Sequence, residues 1–302
     1  MARRHWLLRH RWLLLRRLSQ FGLLAAFLAG PWFGVWMLRG NLASSVVLDT
    51  MALTDPLVLL QALLAGHGAQ IAALSGAALM LLAYALLGGR SYCAWVCPLN
   101  LVTDLAAGLR RAMGLGRGWQ MRRRTRWVLL GAILVASWVS GSIVWELLNP
   151  ITVLQRGIVF GMGAGWVLIV AVFAFDLLVS AHGWCGHVCP VGAFYGLIGK
   201  LSVLRVNAAR RTQCSDCGDC FRICPEPQVI APALKPADPN ASPVILSGDC
   251  LNCGRCIDVC DDEVFAFGSR GARRMPPQPA SRHVVGVHRL SATERTGFRQ
   301  KN

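Results

Sequence analysis

Long apolar runs alternate with basic segments along the first two thirds of the chain. Four runs of about 20 residues stand out, at 18–38 ("LSQFGLLAAFLAGPWFGVWML"), 69–89, 127–147 and 160–181. At about 1.5 Å rise per residue, each matches the roughly 30 Å hydrocarbon layer of a bilayer. A further apolar stretch, 57–66, is too short to span and is expected to lie in the interface or pack on the bundle. The pattern predicts a membrane protein: an all-α bundle of four transmembrane helices over 18–200, behind a basic N-terminal segment, 1–17. A small α+β domain is expected at 201–268. A basic, proline-containing tail, 269–302, reads as disordered.

Composition supports the membrane reading. Hydrophobic residues make up 54% and charged residues 15%, where a soluble chain carries about 25% charged. The net charge of +16 would suit nucleic-acid binding, but its placement argues against that. Six Arg lie in 1–17, eight in 90–126 and fifteen Lys or Arg after 183, which leaves only Arg39 and Arg156 in the other two loops. In a four-span chain these three segments share one side, and the positive-inside rule makes it the cytoplasm. Both termini are therefore expected in the cytoplasm, with the chain multi-pass in the cytoplasmic membrane and in contact with lipid. Trp32, Trp36 and Trp145 fit an aromatic belt at the outer face. The paired arginines near the N terminus are not followed by the short apolar core and cleavage site of an export signal.

All twelve cysteines fall on the predicted cytoplasmic side, a reducing compartment, so metal or redox use is expected rather than disulfides. Eight form two C-x2-C-x2-C-x3-C runs: Cys214, Cys217, Cys220, Cys224, then Cys250, Cys253, Cys256, Cys260. This spacing aims three thiolates at one iron–sulfur cube, while the fourth, expected to open a short helix, reaches the neighbouring cube. One [4Fe–4S] cluster is thus assigned Cys214, Cys217, Cys220 and Cys260. The second is assigned Cys250, Cys253, Cys256 and Cys224. Zinc fits less well, because zinc ribbons use separated C-x2-C knuckles. The second run has Asp261 where proline is usual, which alters the local backbone without removing a ligand.

The other four cysteines form a repeated motif, "CAWVCP" and "CGHVCP", each just past an apolar run. Cys93 and Cys97, and likewise Cys185 and Cys189, would share one helix face. Three readings stay open: redox dithiols, four ligands of a third metal or cluster, or buried cysteines that merely pack. His182 and His187 are candidate extra ligands.

Four spans, two C-x3-C-P motifs at the inner membrane edge and a C-terminal pair of ferredoxin runs together resemble the NapH/MauN group of ferredoxin-type membrane proteins, over roughly residues 15–268. The resemblance implies a membrane electron-transfer component that takes electrons from quinol. It would pass them, with a NapG-like iron–sulfur protein and c-type cytochromes, towards a periplasmic nitrate reductase. An alternative from another class is a maturation or redox-maintenance factor for a metalloenzyme, a NosR-like or CcoG-like role. A quinol site needs proton acceptors, and ionisable residues inside spans are rare. Glu146, near the outer end of the third run, and Asp176, within the fourth, are the candidates, with His67 in the outer loop as a further one. Gly157, Gly161 and Gly165 read as a close-packing helix face.

Overall fold

The computed structural model describes residues 9–119, 121–161, 163–238 and 241–271. Most of the expected 269–302 tail and the first half of the 1–17 segment lie outside the described residues. The longest helix is α1 (Arg11–Phe33). Its N terminus is capped from a distance, because the Asp258 carboxylate accepts the backbone N–H groups of Trp12 and Leu13 at 3.2 and 3.0 Å. It ends where Gly34 takes a left-handed conformation (φ 71°), which glycine adopts without a Cβ penalty. The run expected to be helical to residue 38 therefore stops early and continues into a three-stranded antiparallel sheet, β1 (Leu38–Gly40), β2 (Ser44–Val47) and β3 (Met51–Thr54).

Next come α2 (Pro56–Leu64) and α3 (Ile71–Leu87), a π-helical turn (Tyr92–Val96), then α4 (Leu99–Ala112). The second half repeats the order: α5 (Arg124–Ser140), the short α6 (Val144–Leu148), α7 (Pro150–Phe160), α8 (Trp166–Ala174), a second cysteine-bearing π-helical turn (Trp184–Val188) and α9 (Pro190–Gly199). The packing is exchanged between the halves. Helix α1 packs on the first π turn and α5 on the second, while α4 packs against α8 and α9 against α3. The Arg16 guanidinium donates to the Ala94 carbonyl, and Arg126 to the Gly186 carbonyl. Each acceptor directly follows the first cysteine of its motif.

Helix α2 and helix α7 are the twins that the apolar runs concealed. Each begins with an Asx residue followed by proline at the first helical position, in "DPLVLLQ" (55–61) and "NPITVLQ" (149–155). The Asp55 side chain accepts the Leu57 N–H at 2.7 Å, and Asn149 accepts the Ile151 N–H at 3.1 Å. Proline costs nothing there, since that N–H has no helical partner. The buried Gln61 and Gln155 sit at the same place in each helix. Gln61 accepts the Trp145 N–H at 3.1 Å, and Gln155 the Leu42 N–H at 2.8 Å.

Among the described residues only α1 is long and apolar enough to cross a membrane by length and composition. Helices α3 and α5 and the helical stretch 163–179 have 17 residues each, about 25 Å of rise. The run 127–147 breaks at Gly141, whose φ is 62°. The run 160–181 is a 3₁₀ turn, α8 and a further π turn (Phe175–Val179). The four-span bundle is thus not established by helix length. Trp145 is buried at 6% exposure instead of facing outward, while Trp32 and Trp36 are exposed. Gly157, Gly161 and Gly165 share no helix face: Gly157 is inside α7, Gly161 ends it and Gly165 precedes α8.

The last domain holds β4 (Leu204–Asn207), α10 (Asp219–Ile223), α11 (Ala231–Leu234), α12 (Arg255–Val259) and β5 (Ala266–Ser269), with β4 and β5 antiparallel. Val244 adds one isolated bridge, to Asn207. A buried ion cluster ties this domain to the bundle. Asp104 of α4 accepts from Arg16 at 3.1 Å, Arg17 at 2.6 Å and Arg255 at 2.8 Å. Burial works against the Asp104 carboxylate, but Arg255, then Arg16 and Arg17, hold its pKa down at about 2.

An Asp104 variant tests this tie. Its unfolded pKa is about 4, so its contribution is complete above that pH and lost as pH falls through about 2. The stability gap between wild type and Asp104→Asn, read by thermal unfolding of the apo-protein in detergent, should stay constant from about pH 8 to 5 and shrink between about pH 4 and 2. A gap that shrinks towards alkaline pH instead would contradict the assignment.

Candidate iron–sulfur and cysteine centre

In the ferredoxin domain the two cysteine runs fold alike. Asp216 and Asn252, each just before a second cysteine, have φ 60° and 48°, a left-handed conformation that Asp and Asn tolerate better than most residues. Gly218 and Gly254 follow with φ 79° and 71°. The loop then enters a short helix carrying the third cysteine, Cys220 in α10 and Cys256 in α12. The fourth cysteines, Cys224 and Cys260, lie just past those helices in extended conformation. They close the helices instead of opening them, because Cys224 must turn away to the other run.

The thiols sort into two sets. Burial pushes Cys220 up to about 12, with further upward pushes from Cys214, Cys217 and Cys260. Cys256 is raised by burial, then by Cys253, Cys224 and Cys250. Cys224 is raised by burial, then by Cys253 and Cys250. Each set therefore takes three cysteines from one run and the fourth from the other. Cys256 also feels Cys220, so the two sets adjoin through α10 and α12.

The repeated C-x3-C-P motifs form a third set. Cys93, Cys97 and Cys189 are buried and Cys185 is half-buried. Burial raises Cys97, and Cys93 and Cys189 raise it further. Cys185 is raised by burial, then by Asp176 and by Cys189, Cys97 and Cys93. Cys189 is pushed up to about 12 by burial and Cys93. All four thiols thus converge from the two halves of the bundle. The local form is not a continuing α-helix with cysteines on one face. In each motif the N–H of the second cysteine returns five residues, Cys97 to the Tyr92 carbonyl at 3.0 Å and Cys189 to the Trp184 carbonyl at 2.8 Å. That widened turn recurs at functional sites. Pro98 and Pro190 then lead into α4 and α9.

Arg90 joins this set to the ferredoxin domain. It is 1% exposed. It donates to Glu226 Oε1 at 2.8 Å, to the Asp249 carbonyl at 3.0 Å and to the Cys185 carbonyl at 2.8 Å, and it hydrogen-bonds the Cys93 side chain. Glu226 lies two residues past Cys224, and Asp249 just before Cys250. Burial opposes the Glu226 charge, but Arg90 and Arg123 hold its pKa down at about 2. Asn252 adds a neutral link. Its amide donates to the Leu87 and Leu204 carbonyls at 3.1 and 2.8 Å, and its own carbonyl accepts the Trp95 indole N–H at 3.1 Å.

The remaining candidates scatter. Asp176 is buried and accepts the Trp184 N–H at 2.8 Å, beside the C-x3-C-P set. His187 feels Glu226, and His182 feels Asp104, as their main charged neighbours. His67 meets the Gly141 carbonyl at 3.2 Å in an exposed loop. Glu146 accepts from the Asn149 amide at 2.8 Å and the Thr152 hydroxyl at 3.1 Å. Asp55 and Arg90 were not singled out in the sequence. The repeated Asx-Pro start pointed to Asp55, whereas nothing local marked Arg90.

A family described as "4Fe-4S binding domain" matches twice, over 70–116 and 158–208, once around each C-x3-C-P motif. A "4Fe-4S dicluster domain" matches 213–264. The ferredoxin-type protein NapH of Escherichia coli is 50% identical over 89% of this chain and 93% of its own length. The methylamine utilization ferredoxin-type protein MauN is 53% identical in Methylorubrum extorquens, over 88% of this chain and 92% of its own. In Paracoccus denitrificans it is 53% identical over 89% and 94%. No solved structure matches. With these iron–sulfur matches and relatives of about half identity along nearly the whole chain, the chain belongs to the NapH/MauN family of ferredoxin-type iron–sulfur proteins.

Proposed function

We propose that this protein is a membrane electron carrier that takes electrons from quinol and passes them, through a NapG-like iron–sulfur protein and c-type cytochromes, towards a periplasmic nitrate reductase. The observation that carries the reading is the convergence of Cys93, Cys97, Cys185 and Cys189, with Arg90 bonded to the Cys185 carbonyl and to Glu226 and Asp249 beside the ferredoxin cysteines. A bilayer setting is supported by exposed apolar side chains on the long helices, such as Leu18, Leu82, Trp138 and Val167. Helices α1, α3, α5 and the stretch 163–179 are read as four spans, the last three at the short end of the range for crossing. The basic segments assign the ferredoxin end to the cytoplasm.

Cys214, Cys217, Cys220 and Cys260 are read as ligands of one [4Fe–4S] cluster, and Cys250, Cys253, Cys256 and Cys224 of a second. The C-x3-C-P set is read as holding a third cluster. A working dithiol needs an exposed cysteine of lowered pKa, and here burial raises all four thiols. Bound iron removes that obstacle by stabilising the thiolates. When bound, the clusters supply one-electron relay sites. Arg90 offsets thiolate charge between two of the sets.

The second reading is a maturation or redox-maintenance factor. It draws on the MauN relatives, whose name places them in methylamine utilization and whose identity matches that of NapH. Quinol added to the anaerobically purified holoprotein separates the two. Cluster reduction supports the carrier, and intact clusters that stay oxidised support the second reading.

Anaerobically purified protein should contain about twelve irons per chain, and the Cys93→Ser/Cys189→Ser double variant about eight with its ferredoxin EPR signals kept. Eight irons in the wild type would remove the third cluster. Replacing Glu226 by Gln leaves the buried Arg90 without its carboxylate, so it should cost about 3–5 kcal/mol in thermal unfolding. An unchanged midpoint would show that Arg90 does not depend on that partner.

A further inference from the structure

Between Asp104 and Glu146 the chain has no acidic residue, and seven arginines fall at 110–126. The fold divides them. Four turn inward. Arg110 donates to the Gly116 and Leu177 carbonyls at 2.6 and 2.5 Å, and Arg117 to the Phe221 and Cys224 carbonyls at 2.6 and 3.2 Å. Arg123 and Arg126 pair with Glu226 and Asp249. The other three, Arg111, Arg122 and Arg124, are exposed, and among the described residues their side chains have no hydrogen bond or ion pair.

Counter-charge is scarce around these three. Arg111 feels the like charges of Arg255, Arg117 and Arg222, and its acidic neighbour Asp104 already accepts from three arginines. Helix α5, which begins at Arg124, has no acidic residue in its first turn and no side-chain cap. The segments outside the described residues are basic too: 1–8 holds Arg3 and Arg4, and 272–302 holds seven Lys or Arg against Glu294.

The same stretch exposes large apolar side chains, Leu105 and Leu109 on α4 and Met113, Leu115 and Trp119 beyond it, with Trp119 at 69%. Its backbone is laced to the end of the helical stretch 163–179, because the Trp119 N–H donates to the Val179 carbonyl at 2.9 Å and the Ala181 N–H to the Arg117 carbonyl at 3.0 Å. On the other side Trp127 and Val128 open the exposed apolar face of α5. The surface thus lies where two apolar helices give way to the ferredoxin domain. Cations beside exposed apolar side chains suit a lipid–water interface, where arginine attracts anionic headgroups and tryptophan sits at headgroup level. Continuity with the apolar faces of α5 and 163–179 favours a lipid surface over a protein partner.

Resting on the bilayer reading above, we propose that this surface is a seat for anionic phospholipid, with Arg111, Arg122 and Arg124 donating to headgroup phosphates while Leu109, Met113, Leu115 and Trp119 enter the acyl boundary. Arg117 and Arg123 of the same segment hold the Cys224 loop and Glu226. The lipid therefore steadies the wall against which the ferredoxin domain docks.

The test uses the full-length protein in nanodiscs of phosphatidylcholine alone or mixed with phosphatidylglycerol. After release into detergent, native mass spectrometry should find phosphatidylglycerol retained in preference to phosphatidylcholine. The Arg111→Gln/Arg122→Gln/Arg124→Gln variant should lose about 100-fold in apparent affinity for it, about fivefold per arginine. Its iron content and its thermal midpoint in phosphatidylcholine should stay near wild type, as for other exposed substitutions. Arg39→Gln, in β1, should leave retention unchanged. Peptides within 108–119 should exchange backbone hydrogen more slowly in the mixed discs. Inorganic phosphate should not reverse this when compared with chloride at equal ionic strength. Equal retention of both lipids by the wild type, or wild-type retention by the triple variant, would overturn the proposal. Displacement of the lipid by inorganic phosphate would overturn it in favour of a bare anion site, and displacement by soluble polyglutamate in favour of an acidic protein partner. A chain that does not enter the discs at all would instead overturn the bilayer reading.

Discussion

The buried contact between Arg90 and Glu226 is the constraint on which the rest of the molecule depends. A guanidinium and a carboxylate at 1% exposure each are costly to desolvate and are held only where their hydrogen bonds are met. Here the bonds reach the bundle, the second C-x3-C-P turn and the loops before and after the ferredoxin cysteines. The pair therefore does more than join two domains. It fixes the spacing between the second C-x3-C-P turn and the ferredoxin loops, since neither partner can move without stranding a charge. The cluster around Asp104 does the same on the opposite flank, tying α1, α4 and α12.

The sequence made the cysteines legible because their spacing is chemistry: three thiolates in one turn serve a cube and little else. It made the apolar runs legible too, but not their geometry. The break at Gly34, the split of 160–181 and the widened turns at Tyr92 and Trp184 depend on which backbone groups find partners across the bundle, and hydropathy does not record that. Arg90 read as one more basic residue beside the membrane. Its role appears only when Glu226, far along the chain, folds against it. Asp55 was legible in principle, in "DPLVLLQ" repeated as "NPITVLQ", a pair of Asx-Pro helix starts embedded in apolar sequence.

The two halves of the bundle are alike in scaffold and unlike in charge. Where the first has Asp55 the second has Asn149, and where the first has Arg90 just before its motif the second has His182. Outside these polar positions the halves also differ where the first carries β1–β3 and the second the short α6.

All three tyrosines of the chain gather in one place. Tyr92 stacks on Tyr195 at 4.9 Å between ring centroids, and Tyr84 meets both edge-on at 5.1 and 5.8 Å. They stand beside the C-x3-C-P cysteines and reach Asp55 through the Tyr195 hydroxyl. The stack is a packed aromatic wall beside the cysteines, and losing one ring from it would open a void next to the thiols.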